Sequence, residues 1–191
     1  MRRELKLSVV IFVALLRGIN VGGKNMIRMS SLKDSFERLG FNDVTIYINS
    51  GNIIFKAQEG DARKLERNIE AMLAREYTLE CKVVVRSFSE MADLVKSLPK
   101  TWDGDRRWKY NVIFLKRSID SENILNGLKP KSDIEQVVYR PGALLWSARI
   151  SDLSRTSMLK LSSQKLFQEM TVRNTNTTKK IYELMNKMAD A

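Results

Sequence analysis

Residues 9–16 (VVIFVALL) form an unbroken, largely β-branched apolar run, which predicts a buried strand. A strand with one wet face alternates, and this one does not. Both of its faces are therefore expected to be covered, by a second unit of the chain or by a partner chain. The run stops at the glycine-rich stretch 17–25. Met29, Leu32, Phe36 and Leu39 then recur at helical spacing, and Gly40 ends that helix. Residues 44–48 and 53–55 predict two short strands around Asn49-Ser50-Gly51-Asn52, a hairpin. Asp61 is placed to N-cap the next helix, whose apolar face carries Leu65, Ile69, Met72 and Leu73. Residues 81–86 (CKVVVR) read as a strand. Ser87-Phe88-Ser89-Glu90 has the spacing of a capping box and opens a helix that Pro99 stops.

The order over 8–86 is thus β-α-β-β-α-β, the ferredoxin-like order. After 100–108 (KTWDGDRRW), read as a connector, the pattern restarts. Residues 110–115 predict a strand, 121–128 a helix, and 134–140 with 143–150 a hairpin around Pro141-Gly142. The stretch 152–170 reads as helical but poorly periodic, and 170–173 as a short last strand. Ile181, Leu184, Met185 and Met188 make the C-terminal helix amphipathic. The expected fold class is α+β, with two ferredoxin-like (βαββαβ) units in tandem and helices packed on antiparallel sheets. The boundaries expected are 1–98 for the N-terminal unit, 99–109 for the connector and 110–191 for the C-terminal unit. Element order alone supports the duplication.

At 191 residues the chain is long enough to bury a core without disulfides or metals. It has no histidine, which excludes Ser-His and Cys-His catalysis and His-ligated metal sites. Cys81 is its single cysteine, which excludes an internal disulfide and a thiolate cluster. No metal and no cofactor is expected. Lys and Arg number 33 against 22 Asp and Glu, a net charge of +11. Such a charge favours anionic partners, nucleic acid first, although no run of five like charges concentrates it. Arg2, Arg3 and Lys6 ahead of the apolar run resemble a short signal peptide. Glu4 interrupts the basic part, Arg17 ends the run and no A-x-A site follows, so a cytoplasmic location is expected. The run is also too short to span a bilayer, so no membrane partner is expected.

Gly18, Gly23 and Lys24 meet the G-x-x-x-x-G-K spacing of a P-loop between a strand and a helix. Asn25 stands where that motif needs a magnesium-binding hydroxyl. Hairpins also replace the parallel crossovers, so a true P-loop is not expected. A weaker reading survives. The loop's glycines, Gly22 and Gly23 among them, can turn backbone N–H groups toward an anion, with Arg17 and Lys24 as flanking cations. The alternative is a tight turn in which glycine only supplies backbone freedom. In a 4-1-3-2 sheet, strands one and two run the same way. Arg17, Asn20 and Lys24 are then expected to approach Ser50, Gly51 and Asn52 at one end of the first sheet. Further on, residues 171–178 (TVRNTNTT) lead into the last helix. N-capping is the favoured reading, with anion binding by Arg173 and Asn174 beside the helix start as the second.

Two comparisons with RNA-binding modes follow. Residues 11–16 (IFVALL) resemble the first-strand motif of RNA-recognition domains, which share this element order. Residues 52–56 lack the paired aromatics of that mode, and Phe12 is read as core. Trp102, Arg106, Arg107 and Trp108 mix aromatic and basic groups suited to stacking on bases, or else anchor the connector.

Residues 14–25 (ALLRGINVGGKN), then Met29, Leu39-Gly40-Phe41, Tyr47, Ser50-Gly51-Asn52 and Phe55, resemble a bacterial family catalogued as domain of unknown function 1697. The family's C-terminal signature, T-x-R-N-W-N-T, is similar to residues 171–177, with Thr175 in place of the usual tryptophan. The resemblance covers nearly the whole chain and implies the two-unit ferredoxin-like architecture. It implies no activity. The residues themselves favour binding of a phosphate-bearing ligand, a nucleotide or RNA, at the glycine-rich loop. The bet falls on Arg17, Asn20, Lys24, Ser50, Asn52 and Arg173. The rival is an enzyme acting on a small anionic metabolite, with Lys24, a carboxylate or a tyrosine as its acid–base group. The three motif segments hold no carboxylate, which tilts the reading toward binding. A third alternative is an interaction module that pairs through exposed sheet edges. Oligomeric state is not legible in the chain.

Overall fold

The computed structural model describes residues 9–20, 25–58, 60–103, 105–162 and 164–191. It holds two four-stranded antiparallel sheets with helices. The first contains β1 (Val10–Leu16), β2 (Asn42–Tyr47), β3 (Asn52–Ala57) and β4 (Val83–Ser87), in the order β2-β3-β1-β4. The second contains β5 (Trp108–Leu115), β6 (Glu135–Arg140), β7 (Ala143–Arg149) and β8 (Met170–Asn174), in the order β6-β7-β5-β8. These are one topology used twice, the 4-1-3-2 order expected of a ferredoxin-like unit. By contact density the chain divides into two compact units. One runs to Phe88 and includes Glu183–Ala191; the other is Ser89–Tyr182.

The first unit is built on α1 (Met29–Arg38) and α2 (Ala62–Tyr77). Gly40, at φ +86°, takes the left-handed position just beyond α1, where a side chain would be strained. Asp61 caps α2 by accepting from Arg63 N–H at 2.9 Å. The core between sheet and helices is aromatic. Phe12, Phe36, Phe41 and Phe55 meet with ring centroids 4.3–5.9 Å apart. Phe12 is therefore core, as its isolation on the strand implied. The other face of the same sheet is buried too: Val13, Leu15, Ile54 and Val84 are withdrawn from solvent. That accounts for the missing alternation in β1. The edge strand β4 is closed by α2, whose Glu70 and Glu66 accept from Val83 N–H at 2.9 Å and Val85 N–H at 3.0 Å.

The second unit repeats this plan less regularly. Its core gathers Ile113, Leu115, Leu144, Trp146 and Met170 of the sheet with Ile124, Leu128 and Leu161. The helix expected over 121–128 shortens to α4 (Ile124–Leu128), which has no side-chain cap bond and carries Gly127. The stretch expected to be helical over 152–170 is a chain of short pieces. It consists of 3-10 turns at Ile150–Arg155 and Lys165–Glu169 around α5 (Ser157–Ser162). Its weak periodicity leaves no continuous apolar stripe to stabilise one longer helix. Two further helices are α3 (Phe88–Lys96), directly after β4, and α6 (Thr175–Ala189), directly after β8. Among the described residues no helix is long and apolar enough to cross a membrane.

Register exposes the duplication more sharply than sequence does. Val13 pairs with Arg86 across β1–β4, and Val112 pairs with Arg173 across β5–β8. Both arginines are buried inside their sheets. Each turns Nη1 back to the carbonyl of the preceding residue, Val85 at 2.9 Å and Val172 at 2.8 Å. A guanidinium taken out of water needs such acceptors, and both units solve the problem at the same place.

Candidate functional site

β1 and β2 run the same way through the first sheet, so the segment leaving β1 meets the turn leaving β2. Leu16 N–H donates to the Gly51 carbonyl at 2.8 Å, and Asn20 Nδ2 donates to the Asn49 carbonyl at 3.0 Å. Of the three residues expected at the hairpin turn, Asn20 reaches it; the backbone bonds of Arg17 run to Lys82 and Cys81, and Lys24 lies outside the described residues.

Asn20 and Asn25 close the loop. Asn20 Nδ2 also reaches the Ile27 carbonyl at 3.2 Å, while its Oδ1 accepts from Ile27 N–H at 2.8 Å. Asn20 N–H donates to the Asn25 carbonyl at 3.1 Å, and Asn25 Nδ2 donates to the Gly18 carbonyl at 3.0 Å. Both asparagines sit at φ +52°, a left-handed conformation their short amides tolerate. The two ends of the loop are thus bonded to each other and to the neighbouring turn. Residues 21–24, and with them Gly22, Gly23 and Lys24, lie outside the described residues. In sequence Asn25 stands out only as a departure from the P-loop pattern. Its part as a clasp has no signal in sequence beyond an amide at a loop end.

The turn itself is tightly built. Gly51 has φ +75°, and a Cβ placed on it would lie 2.8 Å from Leu16 Cβ. Asn52 is fully buried and donates from Nδ2 to the Tyr47 carbonyl at 3.0 Å and to Ser50 Oγ at 3.1 Å. The amides of Asn20 and Asn52 therefore hold the backbone of this end of the sheet.

Arg17 stands at the foot of the loop, half-buried. Its N–H donates to the Lys82 carbonyl at 3.1 Å, and its carbonyl accepts from Cys81 Sγ at 3.1 Å. Burial lowers the guanidinium pKa from its ordinary value, with Cys81 acting in the opposite sense. Cys81 is itself buried, a packing thiol rather than an exposed nucleophile.

Arg173 and Asn174 lie on β8, in the second sheet. Arg173 Nη1 donates to Thr171 Oγ1 and to the Val172 carbonyl, both at 2.8 Å. Asn174 Oδ1 accepts from Thr177 N–H at 2.7 Å, so this asparagine N-caps α6 as the favoured reading of the segment expected. The antiparallel pairing of both sheets removes the parallel framework a P-loop requires.

Two βαββαβ units, each with a 4-1-3-2 antiparallel sheet, make this a tandem ferredoxin-like α+β protein. The chain belongs to the family described as a protein of unknown function, DUF1697, whose model matches residues 10–146. Among solved structures it is similar to the conserved bacterial protein SP0830 from Streptococcus pneumoniae. That likeness has a TM-score of 0.82 at 25% identity and covers 93% of this chain and 99% of that one. No curated protein matches the sequence.

Proposed function

We propose that the protein binds a small phosphate-bearing ligand, of nucleotide size, at the glycine-rich end of the first sheet. The observation that carries this reading is the half-buried Arg17 at the foot of a loop whose two ends are clasped by amides. A partly desolvated guanidinium gains more from an anion than a fully hydrated one, because less water screens the pair. Backbone N–H groups of a glycine-rich loop supply further donors without side-chain entropy. In this reading Arg17 and Lys24 take the phosphate, Gly22, Gly23 and Ser50 orient it, and Asn20 and Asn52 position the two turns.

A small ligand is favoured over RNA on one structural ground. RNA-recognition domains stack bases on an open sheet face. Here both faces of the first sheet are buried, Phe12 and Phe55 on one side and Val13 and Ile54 on the other. Arg17→Ala should weaken nucleotide binding by about 1.5–3 kcal/mol, the worth of a charged hydrogen bond, or roughly 10–100-fold in Kd. Arg17→Lys should recover only part of this, since an ammonium lacks the planar fork. Calorimetric titration with a nucleotide panel at two salt concentrations is the test. A shallow salt slope fits the proposal. A slope approaching −0.7 per neutralised phosphate across many phosphates would instead indicate single-stranded RNA. Absence of binding to either at low salt removes this function.

A further inference from the structure

The second unit carries a cleft at the start of β5. β5 pairs with β7 along residues 108–114 but with β8 only along 111–115. The chain leaves β8 at Asn174 and turns into α6, so Trp108, Lys109 and Tyr110 stand beyond the end of β8. At the matching positions of the first sheet the residues are apolar: Lys109 corresponds to Val10 and Tyr110 to Ile11. An aromatic and basic strand end has replaced an aliphatic one.

A cleft of about 420 Å³ opens beside this strand end, within the range of small-ligand sites, about 300–1,000 Å³. Trp102 and Tyr110 stack on each other in its wall, centroids 5.1 Å apart and planes at 28°. Trp108 also lines it, and the Arg149 guanidinium lies over the Trp108 ring, 5.7 Å from its centroid. Two cations line the same cleft, Arg106 and Lys109. Both are exposed, and no ion pair among the described residues involves either. Asp105 is there too, but its carboxylate is already taken. Arg107 donates to it from Nε at 2.9 Å and from Nη2 at 2.8 Å. The first turn of α6 completes the wall. It is tied to β5 by the Thr175 hydroxyl, which donates to the Tyr110 carbonyl at 3.3 Å.

Flat aromatic faces beside exposed cations fit a ligand that is itself a flat ring joined to an anion. We propose that this cleft binds a nucleotide unit, with the base against the aromatic wall that includes Trp108 and the phosphate on Arg106 and Lys109. The unit is either a free nucleoside monophosphate or one residue of a single strand, and the chemistry recognised is the same. The cleft is lined by residues of the second unit alone, and this reading does not rest on the glycine-rich loop.

The protein reports on the cleft directly. Trp102 and Trp108 line it, whereas the third tryptophan, Trp146, is buried with its indole N–H on Glu135 at 2.9 Å. Adenosine monophosphate should quench tryptophan fluorescence saturably, after correction for absorbance. Adenosine alone and inorganic phosphate alone should each bind about tenfold or more weakly, because each offers half of the ligand. Trp108→Leu and Arg106→Glu should each weaken the monophosphate about tenfold or more. Arg106 is an exposed surface residue, so Arg106→Glu should keep the wild-type unfolding midpoint, and its loss of binding is not a loss of fold. A short single-stranded oligoribonucleotide forms the second arm. Quenching by the oligomer alone, with the same dependence on Arg106 and Trp108, assigns the site to strands. Quenching by the monophosphate assigns it to free nucleotides. No saturable quenching by either, or quenching that persists unchanged in both variants, overturns the proposal.

Discussion

Gly51→Ala should destabilise the first unit by about 2–5 kcal/mol, measured by urea unfolding. Two separate costs add. The backbone there is left-handed, at φ +75°, which costs a residue with a Cβ about 1–2 kcal/mol. The new methyl would also lie 2.8 Å from Leu16 Cβ and 3.0 Å from two atoms of Ile19. Leu16 and Ile19 are fully buried and cannot swing aside, and overpacking a filled core typically costs about 1–3 kcal/mol. The same change pushes the turn away from the loop it clasps, so ligand affinity at this end should fall with stability. A wild-type unfolding curve for Gly51→Ala would mean that the turn is not packed on β1 as described.

Glu135→Ala should cost the second unit roughly 3–5 kcal/mol, from three donors left without an acceptor at about 1–3 kcal/mol each, with partial relaxation. Glu135 is 1% exposed. Its Oε1 accepts from Lys131 N–H at 3.0 Å and from Ser157 N–H at 2.7 Å, and its Oε2 accepts from the Trp146 indole at 2.9 Å. One carboxylate thereby pins the start of β6, the start of α5 and the core tryptophan. Burial pushes its pKa up, but the bonds from Lys131, Trp146 and Ser157 outweigh burial, and the net pKa lies below the usual 4.5. The ionised form is therefore the one the fold prefers. Its contribution is present above the unfolded-state pKa and is lost as pH falls through the lower folded-state value. Glu135→Gln should flatten that part of the acid limb, because a neutral amide keeps an acceptor but does not titrate. Equilibrium unfolding of wild type and both variants at neutral and acid pH tests the sign. Equal loss of stability toward acid in wild type and Glu135→Gln would contradict it.

Much of the fold was legible because it is written in apolar periodicity. The unbroken run ahead of Arg17 gave β1 and announced that both faces are covered. Asp61 marked the start of α2, and Gly40 the end of α1. Strand directions alone bring the two polar turns to one end of the sheet. What was not legible depends on which atoms a polar side chain chooses. Asn20 and Asn52 looked like ligands because they are amides in glycine-bearing turns. Both bond backbone groups of the turns they sit in, and no residue pattern marks a backbone group as a partner. Arg86 and Glu66 gave a usable signal. Each is a charge set among apolar positions, on β4 and on the apolar face of α2, and each is buried. A charge so placed implies hydrogen-bonded partners. In sequence Lys109 ends the connector over 99–109 and Tyr110 begins the strand over 110–115. Their place at a cleft follows from where β8 stops, which local periodicity does not encode.

On the proposed function, the clasped glycine-rich end of the first sheet holds a phosphate-bearing ligand. A two-dimensional amide NMR titration of the full chain with a nucleoside triphosphate tests it most directly. Saturable shifts should concentrate at Arg17, Gly18, Gly22, Gly23, Lys24 and the Ser50-Gly51 turn, and should be lost in Arg17→Ala. Saturable shifts confined to other residues, or none at low salt, would contradict it.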